Sequence, residues 1–277
     1  MSRKLSDLQA AEVLKLEAAG SAKGTVYLAA LAIRRLIENG GDVDATAITT
    51  EIATRYAAQL WTNLAARSVR REVKSLQAAW NREDLPNPWA RLPAIRVDPV
   101  ELRIVTASEE IALRERASRD LRLWIALCLE TAARPGEICA LRSEDVLRDR
   151  AAILIQSRRT ARTKTRESRM ASLRDATHRQ LVLRVGRGSL PWGSAAPRAI
   201  LSRMRRRLYR LCARVGIPKV KPQDLRRTVG TRLALAGVSP AIAARVLRHS
   251  DPTTTMRYYT RVQDADAAAA VARTWTA

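Results

Sequence analysis

Two short amphipathic helices written back to back between Pro222 and Thr260 constrain this chain more than any other stretch: PQDLRRTVGTRLALAGVSPAIAARVLRHSDPTTTMRYYT. In the first, Leu225, Val229, Leu233 and Ala236 recur at four- and three-residue spacing, which lines one face of a helix. Gly237 follows, a residue free to adopt the left-handed conformation that ends a helix. The second helix starts at once. Ser239 is a capping residue, Pro240 suits the first helical position because its missing N–H has no partner there anyway, and Ile242, Val246 and Leu247 form an apolar stripe that ends near His249. Arg226, His249 and the pair Tyr258-Tyr259 are left over as polar groups at the edges of these stripes, where a folded helix pair points them into one cleft.

The rest of the chain reads as helices around a proline-rich break. Leu5, Leu8, Val13 and Leu16 give an amphipathic helix up to about Gly20, and a second is expected from Thr25 to Asn39, stopped by Gly40 and Gly41. Thr49 caps a third, with Ile52, Tyr56 and Leu60 inward, and Ser68 opens a fourth. On that fourth helix Val69, Val73, Leu76 and Trp80 form the buried stripe, while Arg67, Arg71 and Lys74 share another face, which suits either a phosphate backbone or solvent. Proline recurs through Asn87 to Pro99, so that segment reads as extended. This divides the chain into a helical domain over 1–92, a linker over 93–105 and a second domain over 106–277. In the second domain helices are expected around Ser108 to Arg119, Leu121 to Thr131 and from Pro135 into ICAL. Ala151 to Gln156 and Arg169 to Leu173 suggest a β-hairpin whose long polar turn holds Lys164. The fold class is mainly α with a small β-sheet (α+β). The Ala-rich tail from Asp266 to Ala277 reads as a helix with nothing obvious to cover.

Charge narrows the partner. The formal net charge is +23 over 277 residues, and no acidic residue occurs from Ala176 to Gln223, while Arg203, Arg205, Arg206, Arg207, Arg210 and Arg214 crowd one helix. One-signed charge of this density repels itself unless a polyanion lies nearby, and neutralising phosphates releases counterions, so a polyanion is the expected partner, with plain solubility or attraction to an anionic membrane surface as the competing readings. No apolar run spans a bilayer and MSRKLSDLQ lacks the apolar core of a signal peptide, so no membrane is expected and the location expected is cytoplasmic. No small-molecule substrate is expected either. Cys128, Cys139 and Cys212 are odd in number and form no metal-like pair, which makes them small buried hydrophobes rather than a disulfide or a zinc site.

Three linked elements carry a resemblance: an arginine in a DLRRT helix (Arg226), a histidine in RHSD (His249) and a tyrosine nine residues beyond that histidine (Tyr258). The pattern is similar to the C-terminal signature of the tyrosine recombinase family, the phage-type integrases. Upstream, Arg134 in TAARPGEICALRSEDV resembles the family's first arginine box, and Lys164 in TARTKTRESRMASL resembles its hairpin lysine. The likeness covers the chain from about Thr106 onward, and the N-terminal third is similar only in pattern, through SVRREVKSLQAAW followed by NPW. It implies an N-terminal core-binding domain that clamps duplex DNA together with a C-terminal catalytic domain. It also implies site-specific recombination or integration for a mobile element, and a homotetramer on two synapsed DNA sites, with the tail packing on a neighbour.

The chemistry this implies suits the residue types. Attack on a phosphodiester builds negative charge that guanidinium groups meet with paired donors, the role implied for Arg134 and Arg226, with His249 adding a hydrogen bond. Tyr258 is the implied nucleophile, forming a covalent 3′-phosphotyrosyl link that conserves the bond without ATP, and Tyr259 is the runner-up. Arginines nearby are expected to favour the phenolate. Lys164 resembles the family's general acid for the leaving 5′ oxygen, and its neighbours Arg162 and Arg166, with Arg67, Arg71, Lys74, Arg203 and Arg207, are DNA-contact candidates. Glu137, three residues after Arg134, is read as its orienting partner. No metal and no cofactor are expected, because arginines supply the charge that other phosphoryl-transfer sites take from Mg²⁺. The chain departs from the family in two places. Gln223 stands where a histidine usually precedes the second arginine, and Arg248 stands where a glycine commonly precedes His249. Glutamine bonds a phosphate oxygen but takes no proton at neutral pH. These departures motivate the alternative, a catalytically weakened DNA-binding accessory or regulatory protein of the same fold.

Overall fold

The computed structural model describes residues 3–98, 103–156, 168–185, 191–249, 251, 253–256 and 258–259. The chain forms two compact units that part between Val100 and Glu101, inside the segment expected to be the linker.

The first unit holds α1 (Leu5–Ala18), α2 (Lys23–Gly40), α3 (Thr50–Asn63) and α4 (Ala66–Arg82). Each amphipathic stripe is too apolar to stay in water, and the four close on a core of Leu5, Leu8, Ile33, Leu36, Tyr56, Leu76 and Trp80. Thr49 caps α3 by accepting from Ile52 N at 3.3 Å, but Ile52 itself is exposed and Ala53 takes the inward position beside Tyr56. α4 begins two residues before the expected cap: Ala65 occupies that position, and Ser68 lies within the first turn. The proline-rich segment is not wholly extended either. Pro88–Arg91 makes one 3₁₀ turn, capped by the Asn87 side chain on Trp89 N at 3.1 Å. That turn sinks Trp89 into the helical core, edge-on to Trp80 and Tyr56 with centroids 5.6 and 6.0 Å apart. An aromatic of this size gains more from burial than an extended backbone gains from hydration, which is why the linker starts later than proline content suggests.

In the second unit α5 (Ala107–Arg116) is followed by α6 (Arg119–Thr131) and the one-turn-plus α7 (Pro135–Cys139). α6 is apolar on nearly every side and runs through the middle of the core, where Trp124, Ile125, Leu127 and Cys128 are fully buried. The expected hairpin is present as β2 (Ala152–Ile155) and β3 (Arg169–Ser172), antiparallel with Ile155 opposite Arg169. A further strand, β1 (Val146–Leu147), pairs with β2 to complete the sheet order β1-β2-β3. Two residues are too few to show alternation, so the sequence does not reveal it. α8 (Asp175–Val185), α9 (Pro197–Arg214), α10 (Pro222–Leu235) and α11 (Pro240–Leu247) follow. Gly237 ends α10 with φ +70°, and Val238 N reaches back to Leu233 O at 3.0 Å. Ser239 caps α11 from Ile242 N at 3.4 Å. The inward faces of this pair are rotated from the expected ones: Ala236 and Ile242 are exposed, whereas Arg226, Gly230, Ala234 and Ala243 are buried. Residues 253–256, 258 and 259 are helical. The three cysteines are buried and free, with burial pushing their thiols up, Cys139 to about 11. Among the described residues no helix is long and apolar enough to cross a membrane. The expected tail helix from Asp266 lies outside the described residues.

Candidate active site

The site is built at the carboxyl ends of two helices. The last carbonyls of a helix have no partner within it and carry the negative end of its dipole, so they attract cations. α6 ends at Thr131 and Ala132 turns the chain with φ +53°; α11 ends at Leu247 and Arg248 turns it with φ +52°. Both ends are occupied by guanidinium groups. Arg169, from β3, donates to Thr131 O at 2.5 Å and to Val246 O. Arg226, from α10, donates to Ala132 O at 2.8 Å and to Leu247 O. Arg134, at the amino-terminal cap of α7, makes a long 3.4 Å contact to Arg248 O. Two arginines therefore each bridge α6 to α11, and a third touches the next carbonyl along.

Burying this much positive charge is costly, and the arginines show it. Arg226 is only 1% exposed. Burial first, then the neighbouring Arg134, with Glu137 opposing, lowers it to about 10, and burial with Arg248 beside it does the same to Arg169. Both remain cationic at neutral pH. One carboxylate sits among them: Glu137 accepts from Arg134 N at 2.9 Å and from Arg134 Nη1 at 3.1 Å, which is the orienting contact expected of it, and Glu137 Oε2 lies 3.5 Å from Arg248 Nη1. Four guanidinium groups thus surround one carboxylate, and the helix ends supply the remaining negative potential. Four cations against one carboxylate leave an excess of positive charge, which suits an anion.

The tyrosine pair divides as a one-residue step on a helix requires, since each step turns the side chain by about 100°. Tyr259 Oη donates to Val238 O, and both tyrosine rings belong to the helix-pair core with Ala132, Ala234, Ala243 and Leu247. Tyr258 turns the other way, onto the α10 face that carries Arg226. Its ring lies so close to Gly230 that a Cβ there would stand 3.0 Å from Cε1 and Cζ, and it runs parallel to His249 within 6°, centroids 6.2 Å apart. Burial pushes the Tyr258 phenol up, and the opposing fields of Arg226 and Arg227 only partly offset this. The arginines are expected to favour the phenolate; in this structure burial acts against them and is the larger influence. His249 is held by the buried Thr255, whose hydroxyl lies 2.8 Å from Nδ1.

Arg134, Arg226, His249 and Tyr258 are thus brought together. Gln223 lies one turn before Arg226 on α10 and is exposed. Lys164, Arg162 and Arg166 lie outside the described residues. Arg67, Arg71 and Lys74 line one cleft of the first unit with Arg70 and Arg82, a space of about 430 Å³ between α1, α2 and α4. Arg203 and Arg207 donate within the second unit, to Trp192 O at 2.7 Å and to Ser118 Oγ at 2.6 Å, and Arg203, Arg205, Arg206, Arg210 and Arg214 on the same helix are exposed. Arg169, Gly230 and Thr255 are site residues that motif spacing does not single out. A signal for Arg169 exists, because alternation along β3 puts it on the same face as the buried Ala171.

Structural comparison finds the same fold in solved integrases. The chain superimposes on the Tn1549 transposon integrase in complex with transposon right-end DNA with a TM-score of 0.76 at 19% identity, covering 98% of this chain and 99% of that one. A lambda integrase dimer bound to a COC′ core site gives 0.72 at 17%, covering 93% and 77%, and a lambda integrase tetramer bound to a Holliday junction gives 0.73 at 16%, covering 93% and 77%. Identities this low show the fold alone. Comparison with curated proteins finds no match. The phage integrase family profile matches residues 100–266, more than half of the sequence, and the chain belongs to that family, the tyrosine recombinases. The match does not favour the accessory-protein alternative.

Proposed function

We propose that this member of the family is an active site-specific recombinase in which Tyr258 Oη attacks a DNA phosphodiester, forms a 3′-phosphotyrosyl bond and releases a 5′ hydroxyl. The observation that carries the reading is the placement of Tyr258 on the Arg226 face beside His249 while Tyr259 is tied to Val238 O. Arg134 and Arg226 hold the non-bridging oxygens, His249 adds a hydrogen bond, Gln223 bonds the phosphate from the exposed first turn of α10, and Lys164 protonates the 5′ oxygen; the proton lost by the phenol balances the one delivered there. No metal takes part, because fixed guanidinium charge meets the charge that develops at phosphorus. Residues 1–92 form the core-binding domain, with Arg67, Arg71 and Lys74 on the duplex, and residues 93–105 connect it to a catalytic domain over 106–277, whose Arg162, Arg166, Arg203 and Arg207 face DNA. Four protomers assemble on two synapsed sites, as the tetrameric lambda integrase does on a Holliday junction.

The test is covalent trapping on nicked duplexes drawn from the DNA flanking the gene, in excess EDTA. An SDS-resistant adduct is expected with wild type and Tyr259→Phe and is expected to vanish with Tyr258→Phe. Loss with Tyr259→Phe alone, or in wild type on adding EDTA, overturns the assignment or the metal-free chemistry respectively.

A further inference from the structure

Arg248 breaks a local rule twice. It closes α11 in the left-handed conformation, φ +52°, where a side chain crowds its own backbone and glycine does not. It also buries its guanidinium, with only 3% of the side chain exposed, in a site that already holds Arg134, Arg169 and Arg226. Glycine would relieve the backbone and remove one of four like charges. A strained residue held among charged groups points to a role at the site rather than in the helix.

The contacts indicate what that role is. Arg248 meets Arg134 from two directions: its carbonyl receives Arg134 Nη2 at 3.4 Å, and its Nη1 stands 3.5 Å from Glu137 Oε2, while the other oxygen of the same carboxylate holds Arg134 Nη1 at 3.1 Å. With Glu137 to itself, Arg134 would have its charge largely cancelled by the carboxylate that orients it. Shared between two guanidinium groups, Glu137 still orients Arg134 but neutralises less of it, and more of the field is left for an incoming phosphate. We propose that Arg248 is a positioning residue that divides the Glu137 carboxylate with Arg134 and so raises the affinity of the arginine cluster for a phosphate group. This rests on the cluster being the phosphate site, though not on which tyrosine attacks.

Inorganic phosphate is therefore the probe. The melting temperature of the full chain is followed as phosphate replaces chloride at constant ionic strength, for wild type, Arg248→Gly, Arg248→Lys and Arg134→Ala. Wild type is expected to gain stability with phosphate, and Arg134→Ala to lose that gain, which isolates the cluster's share from ions held at the surface. Arg248→Gly is expected to melt at or above the wild-type temperature without phosphate, yet to show no more than half of the wild-type rise. Arg248→Lys, which keeps the charge, is expected to retain most of it. A full rise in Arg248→Gly overturns the proposal. So does a fall in melting temperature that Arg248→Lys repairs without restoring the phosphate response, since Arg248 would then be a structural plug. If the gain persists in Arg134→Ala, phosphate is not read at the cluster and the premise fails; the Tyr258→Phe trapping result is independent of all three outcomes.

Discussion

Gly230 shows how a single atom governs the site. Its backbone is ordinary helix, so conformation does not require glycine; what requires it is the Tyr258 ring, 3.0 Å from where a Cβ would stand. Gly230→Ala should gain about 0.5–1 kcal/mol of helix propensity and lose part of it as the ring is pushed aside by a few tenths of an ångström. The expected outcome is a melting temperature within a few degrees of wild type and a rate of adduct formation lower by about tenfold, because reacting groups tolerate little misplacement. Thermal melting and single-turnover trapping read the two effects separately. An unchanged rate would mean that Tyr258 leaves this position before it attacks. The motif residues Arg134, Arg226, His249 and Tyr258 are legible in the sequence because their spacing is fixed by helices whose period is known. Gly230 and Thr255 are not, because their purpose lies in what packs against them.

Among the helices, arginines do for α6 and α11 what capping residues do elsewhere. The carbonyls of Thr131 and Ala132 at one helix end, and of Val246 and Leu247 at the other, are paired through the forks of Arg169 and Arg226. The geometry needs a planar group with donors on both sides, which a lysine cannot supply. Arg169→Met fills much the same volume but leaves Thr131 O and Val246 O without that donor. It should destabilise the second unit by about 1.5–3 kcal/mol, the range for hydrogen bonds from a charged group, seen as a lower denaturant midpoint with an unchanged slope. A loss below about 0.5 kcal/mol would show that water serves those carbonyls equally well. The sequence displays both helices and the cap of α11, yet it places Ile242 and Ala236 inward where the structure exposes them. Amphipathic spacing fixes that a face exists; which residues occupy its centre depends on the neighbour, and here the neighbours are Tyr258, Tyr259 and Ala132.

Over the full chain, the excess of 50 Lys and Arg over 27 Asp and Glu sets the response to salt. Within the first unit many acidic groups are already committed: Glu72 to Arg35 and the Tyr56 hydroxyl, Glu12 to Arg82, Glu83 to Arg3 and Lys15. Arg67, Arg71 and Lys74 remain exposed on one cleft. Replacing these three by alanine should lower the slope of log affinity against log salt by about three, at roughly 0.9 per phosphate released, while leaving the fold intact by circular dichroism. A slope that does not move would place the duplex on another face of the unit. Affinity for any duplex, rather than adduct formation, is the quantity to follow, because phosphate contacts are blind to sequence.

The basic charge that suits a polyanion, the helical character, the hairpin and the four spaced residues are all legible before folding, because net charge, the 3.6-residue period and motif spacing are properties of the chain read along its length. The two departures, Gln223 and Arg248, are legible too, as plain substitutions. What the folded residues meet is settled only in three dimensions: Trp89 belongs to the first core, Tyr259 is bonded to Val238 O while Tyr258 faces Arg226, burial pushes the Tyr258 phenol up, and four arginines gather around Glu137 and two helix ends. Each of these depends on distances between groups far apart in the chain, on desolvation and on the direction of helix dipoles, none of which exists until the chain has folded.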